Sequence, residues 1–249
     1  MHRVHVIGLG LSRQDLTLKH LKIIESADLL VGGQRHLDYF RNTDVEKRVI
    51  TRDIASVIRD IKERMDAHKI VVLASGDPLF YGIGTTLVTA LGPDRLVIHP
   101  NVSSPAAAFA AICEPWEDAR LISFHGRVVE NLEDIIRSSH KIAILTDGTH
   151  TPGWLAGRLI SQDMGNFTAH VFECMGSDKE KIYSFDSLDP LVDHPFEMPN
   201  IVLLKQNNDS QENAAAHETL PGQDIVVAGQ GDGDVCGAPG VSISPGMPD

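Results

Sequence analysis

The sequence predicts an α/β protein made of two α/β domains, and three observations carry that expectation. Short apolar runs alternate with segments of helical apolar spacing from residue 4 to about residue 205. Loops rich in Gly, Ser and Asp follow the apolar runs, as at Gly8-Leu-Gly10 and Ser75-Gly76-Asp77-Pro78. A shift of composition at Glu114-Pro-Trp-Glu117 then divides the alternation in two. The expected domains are residues 1–113 and 114–205. Residues 206–249 are rich in Gly, Pro, Asn and Asp, lack periodicity, and read as a disordered acidic tail.

Residues 4–7 form the first expected strand, and Gly8 and Gly10 permit a tight turn after it. Leu16, Leu21 and Ile24 follow at helical spacing. The dinucleotide fingerprint G-x-G-x-x-G fails because Arg13 stands where its third glycine belongs. No acidic residue ends the second strand, residues 27–31, so a nicotinamide-dependent oxidoreductase is a distant reading. A short helix is expected over 34–40. A stronger one opens at Arg52-Asp53, with Asp53 as its N-cap and Ile54, Val57, Ile58, Ile61 and Met65 as one apolar stripe.

The run Ile70-Val-Val-Leu73 is apolar at every position, as in a parallel strand covered on both faces. Helical spacing resumes at Phe80 and lasts to Leu91. Residues 95–99 supply another strand, after which Ser104 is positioned to cap a helix with Pro105 at its first residue. In the second stretch, strands are expected at 121–124, 142–145, 169–172, 182–185 and 200–204. Helices are expected at 132–136 and from Thr151-Pro152 onward. The last strands have no long helix between them, so the second sheet should be mixed.

An apolar content of 42% and a charged content of 22% are those of a soluble globular chain. No stretch approaches the roughly 20 apolar residues that span a bilayer, and the start lacks a signal-peptide layout. Cys113, Cys174 and Cys236 are far apart, and the twelve histidines show no metal-ligand spacing. A cytoplasmic protein without a zinc site is expected. The net charge of −12 divides into −7 on the tail and −5 on the body, which argues against nucleic acid as partner.

The loop at residues 75–78 follows the carboxyl end of the central strand, where open α/β folds place ligands. Its N–H groups and the Asp77 carboxylate suit a ligand carrying an ammonium and a carboxylate, such as the methionine end of S-adenosylmethionine. On spacing alone, an ordinary strand-to-helix turn is the more economical reading.

Six further stretches in order carry a resemblance. Val6-Ile-Gly-Leu-Gly10 with Asp15-Leu-Thr-Leu18 is similar to the opening glycine loop of the tetrapyrrole methylase family, although Leu11-Ser12 replaces its usual Pro-Gly. Residues 27–37, ending Gly-Gly-Gln-Arg-His-Leu, resemble the precorrin C5-methyltransferase branch of cobalamin biosynthesis. Ala74-Ser-Gly-Asp-Pro-Leu-Phe-Tyr-Gly-Ile-Gly84 is the most specific signature. Asn101-Val-Ser-Ser104, Ser123-Phe-His-Gly-Arg127 and Thr146-Asp-Gly-Thr-His-Thr-Pro152 follow that branch. The resemblance implies two α/β domains with S-adenosylmethionine folded into the cleft between them. By position, Gly8, Gly10, Ser75, Gly76, Asp77, Phe80, Ser103 and Ser104 would hold it from the first domain. Thr146, Asp147, Asn200 and Ile201 would close on it from the second.

The implied substrate is a precorrin, a polycarboxylate, so an acidic enzyme needs local cations. Arg35, His36, Arg41 and Arg127 are the candidates, with solvated surface charge as the plain alternative. His125 is a candidate proton acceptor, against a structural histidine at a strand end. The family implies a homodimer. One methylation is expected, with a separate C15-methyltransferase and decarboxylase acting in trans. Other readings are a methylase of a different tetrapyrrole carbon, a diphthine synthase, a ribosomal RNA ribose methylase and an inactive cofactor-binding relic.

Overall fold

The computed structural model describes residues 2–126 and 129–207; the expected tail from residue 208 and the candidate Arg127 lie outside the described residues. In chain order the elements are β1 (Val4–Gly8), α1 (Leu18–Glu25), β2 (Leu29–Gly32), α2 (Gln34–Asp38), β3 (Glu46–Val49) and α3 (Ile54–Arg64). Next come β4 (Ile70–Ala74), α4 (Ile83–Leu91), β5 (Leu96–His99) and α5 (Ser104–Ala111). The second stretch holds β6 (Arg120–Ser123), α6 (Leu132–Arg137), β7 (Lys141–Leu145), α7 (Pro152–Ile160), β8 (Phe167–Glu173), β9 (Lys181–Phe185) and β10 (Asn200–Gln206). Both sheets belong to one compact unit.

The first sheet is wholly parallel, in the order β3-β2-β4-β1-β5. Its central strand, β4, is buried throughout because alternate residues enter two different cores. Ile70, Val72 and Ala74 pack with Val57, Ile61 and Met65 from the α3 stripe, while Val71 and Leu73 pack with Ile24, Leu37 and Phe40 from the α1–α2 side. Each such buried Val, Leu, Ile, Met or Phe side chain is worth about 1.5–3 kcal/mol. Asp53 caps α3 as expected, accepting the Ser56 N–H at 3.1 Å. With β1 flanked by β4 and β5, the loops after these three strands sit side by side at one end of the sheet.

Three local expectations change. The strand β3 was not foreseen, since Glu46-Lys-Arg-Val49 has almost no apolar signal; as an edge strand it pairs through its backbone with β2 and needs little. α4 begins at Ile83, because Phe80 and Tyr81 belong to the preceding loop. Ser103, not Ser104, is the N-cap of α5, its side chain makes no capping bond, and Pro105 is the second residue of the helix.

The second sheet is mixed, in the order β6-β7-β10-β8-β9, with only β6 and β7 parallel. One face packs on α6 and α7 through Ile136, Leu155 and Leu159. The other receives α5: Ala108 and Phe109 pack with Ala143, Phe172, Ile201 and Leu203. The proposed division at 113/114 follows the chain between the sheets, whereas α5, which precedes it, is packed on the second sheet. No helix among the described residues is long and apolar enough to cross a membrane.

Candidate functional site

Three loops at the carboxyl ends of β1, β4 and β5 are tied together mainly by backbone. The Leu9 N–H donates to the Ala74 carbonyl at 2.9 Å and the Gly76 N–H to the Gly10 carbonyl at 3.0 Å. Asp15 accepts the N–H groups of Leu11 and Ser12 at 2.7 and 3.0 Å. The Asn101 amide donates to the carbonyls of Gly8 and Asp15 at 2.9 and 3.1 Å. Such closeness excludes side chains: a Cβ at Gly8 would lie 2.3 Å from the Gly76 oxygen, and Gly10 holds φ +69° with Asp15 2.5 Å from where its Cβ would be.

These loops open on a cleft of about 520 Å³ whose far wall comes from the second sheet. Gly10, Ser75, Gly76, Asp77, Phe80, Ser103 and Ser104 line the near side. Asp77 Oδ1 accepts the Leu79 N–H at 2.8 Å, and its second oxygen has no partner among the described residues. Leu145, Phe172, Met175, Pro199, Asn200 and Ile201 line the far side. The arrangement offers hydrogen-bonding groups and one carboxylate on one wall and apolar surface on the other, which suits a ligand with a zwitterionic end and a flat apolar part.

The halves also touch beside the cleft. The Tyr81 hydroxyl donates to the Leu121 carbonyl at 3.2 Å. Gly176 packs on Leu11, 2.6 Å from Leu11 Cβ to where a Gly176 Cβ would stand, so the departure at Leu11-Ser12 is matched by a glycine opposite.

Several expected residues are placed elsewhere. Gly8 is a packing point behind the cleft wall, not part of it. Thr146 is fully buried and donates to the Asn200 carbonyl at 2.9 Å while also reaching Asn200 Oδ1, so it supports Asn200 instead of facing a ligand. Asp147 turns onto its own loop, accepting the N–H groups of His150 and Thr149 at 2.7 and 2.9 Å. The His150 N–H is the main reason its carboxyl lies below the ordinary range. Arg41 is exposed and off the wall.

Arg35, His36 and His125 do line the cleft. His36 is not a cation there: burial, and then Arg35, push it down to about 4. His125 is exposed, and its backbone N–H donates to Ser123 Oγ at 3.3 Å. Sequence reasoning missed Tyr81, Leu145, Phe172, Met175 and Pro199. Tyr81 lies inside the signature at residues 74–84; the others carry only an apolar signal, and nothing local distinguishes a residue facing a cleft from one facing a helix.

A wholly parallel sheet, its glycine loops bonded to one another, thus faces a mixed sheet across a cleft. Residues 3–189 match the tetrapyrrole (corrin/porphyrin) methylases, and the chain belongs to that family. It is similar to the cobalt-precorrin-7 C(5)-methyltransferase of Salmonella typhimurium, with 34% identity over 202 residues, 81% of this chain and 98% of the relative. Among solved structures, the precorrin-6Y methylase of Archaeoglobus fulgidus superposes with a TM-score of 0.64 at 21% identity, covering 84% of this chain and all of that one. The uroporphyrin-III C-methyltransferase of Thermus thermophilus, solved with S-adenosylhomocysteine, gives 0.66 at 19% identity, covering 82% and 97%.

Proposed function

We propose that this chain transfers the methyl group of S-adenosylmethionine to C5 of a precorrin, metal-free or cobalt-bearing, in cobalamin biosynthesis. The observation that carries this reading is 34% identity along nearly the full length of a relative with that named activity. The cleft is consistent with it: the loops after β1, β4 and β5 bring Gly10, Gly76 and the hydroxyls of Ser75, Ser103 and Ser104 round Asp77, a polar cradle fitted to an amino-acid end.

When bound, S-adenosylmethionine supplies an already activated sulfonium methyl, so alignment is the main task left to the protein. Asp77 and the N–H groups of Ser75 and Asp77 would hold its amino-acid end, the Gly76 N–H being taken by the Gly10 carbonyl, and Ser103 and Ser104 would run along it. Asn200, held by Thr146, and Ile201 would close on the other side. Phe172 and Met175 offer apolar surface, and Arg35 a cation for a substrate carboxylate. The same reading makes the enzyme cytoplasmic and homodimeric. It assigns C15 methylation and decarboxylation to a separate protein, since the relative matched over 98% of its own length is named for C(5) alone.

Incubation of purified protein with S-adenosylmethionine and precorrin-7, followed by mass spectrometry, is expected to show one added methyl and no carbon dioxide loss. No methylated product would overturn the C5 reading, and a doubly methylated, decarboxylated product would overturn the single-site one. A monomer by light scattering would remove the homodimer.

A further inference from the structure

Arg35 and His36, neighbours on α2, both line the cleft. Arg35 Nη2 stands 3.5 Å from His36 Nε2, a long contact in which arginine can only donate. Taken as a hydrogen bond, this contact makes Nε2 the acceptor and puts the ring proton on Nδ1, which is shielded from solvent and has no partner. The nitrogen with a free electron pair is thus covered by a cation, and both residues line the cleft.

We infer that His36 is the proton acceptor of the methylation, masked by Arg35 in the free enzyme and unmasked when a substrate carboxylate draws Arg35 away. The inference rests on the tetrapyrrole reading above. Formation of the carbon–methyl bond uses an electron pair of the tetrapyrrole π system and breaks the carbon–sulfur bond, whose electrons stay on sulfur. The methylated ring system is left with one proton in excess, and Nε2 accepts it, giving an imidazolium paired with the carboxylate that displaced Arg35.

The surroundings leave Arg35 as the controlling charge. β2 and β4, packed against α2, contribute no charged side chain. β3 contributes Glu46, Lys47 and Arg48, all engaged: Glu46 with Arg64, Lys47 with the carbonyls of Thr43 and Val45, Arg48 with Ser56 and Asp60. On α2 itself, Asp38 is held by Gln34 at 2.8 Å. Burial and Arg35 keep the free imidazole neutral, near 4, and neutralising Arg35 removes the second cause.

The test is the titration of His36 by NMR in the full chain, free and saturated with uroporphyrin III as a polycarboxylate tetrapyrrole probe. The expected result is a midpoint near 4 when free, raised by about one unit or more when bound. Arg35→Gln should raise the free midpoint without any probe. His36→Gln should lower kcat on precorrin-7 by about 10²–10⁴-fold with little change in KM, the usual range for a lost general base, and added imidazole should restore part of it. Probe that binds without moving the midpoint, or a His36→Gln enzyme with undiminished kcat, would overturn the assignment while leaving the methylation reading intact. A chain that binds no tetrapyrrole in calorimetry would overturn both. The titration of the unsubstituted chain keeps the inference testable even if a variant fails to fold.

Discussion

Along β1, β4 and β5 the chain meets the cleft with glycine, serine and aspartate, whose backbone groups bond to one another across the loops. Along β7, β8 and β10 it meets the same cleft with Leu145, Phe172 and Ile201, side chains that differ little from the core beneath them. The first wall depends on close approach of backbone, so a single methyl group is enough to open it. The second depends on filled volume, which tolerates exchange of one apolar group for another. Recognition of a zwitterionic end belongs to the first wall, and exclusion of water to the second.

The sharpest way to break this comparison is Gly8→Val. Its side chain would run into the Gly76 oxygen, 2.3 Å from the Cβ position. The expected result is loss of S-adenosylmethionine binding and a stability loss of about 1–3 kcal/mol from overpacking. Retained affinity in calorimetry would mean that the three loops do not need their present spacing. Asp77→Ala comes next, since it removes a carboxylate from the wall without crowding it. Affinity should fall by about 1–3 kcal/mol, the usual loss for a hydrogen bond to a charged group, and equal affinities would remove Asp77 from the site.

Thr146→Val probes the second wall through its support. Asn200 would lose a buried hydroxyl donor, so the melting free energy should fall by about 1–3 kcal/mol, with a smaller effect on cofactor affinity than Asp77→Ala. A larger affinity loss than for Asp77→Ala would show that Thr146 itself faces the ligand.

The smallest expected effect separates the two halves by pH. Beneath the first wall, His5 Nδ1 and His99 Nε2 lie 2.9 Å apart, and His20 stands edge-on to His99. One ring must donate and the other accept, so the pair excludes full protonation. Burial, then the charges of the other histidines and Lys19, hold His99 down to about 4, and His5 and His20 are lowered too, chiefly by burial, with Arg3 and Lys19 adding to the effect on His5 and Lys19 to that on His20. A histidine lowered in the fold binds its proton more readily when unfolded. Its contribution is therefore present above about pH 6.5 and is lost as pH falls from there toward 4. Carboxylates lowered by ion pairs, such as Glu133 beside Arg158, act further down. His99→Gln should flatten the melting curve's pH dependence between 6.5 and 4. An unchanged slope would place the destabilisation outside this trio.

The sequence alone determined the α/β class and the order of nearly all strands and helices. These follow from local causes. β4 is apolar because both its faces are covered, and Ser75-Gly76-Asp77-Pro78 is polar and small because backbone must turn and be exposed there. The near wall is continuous in sequence with the strands that carry it, so its residues could be named from motifs shared with the family. Local causes did not reach β3, whose edge position asks for backbone pairing and little else. Nor did they place Thr146, which carries the family's motif yet serves Asn200, 54 residues away. Asn200 and Ile201 on the far wall were also named from the family resemblance, but the rest of that wall was decided only by the tertiary structure. Leu145, Phe172 and Ile201 come from strands joined in an antiparallel register, and burial against a ligand cleft or against a helix asks for the same apolar residue. The charge state of His36 was decided there as well, because it depends on which solvent the fold removes and on the guanidinium it leaves beside the ring.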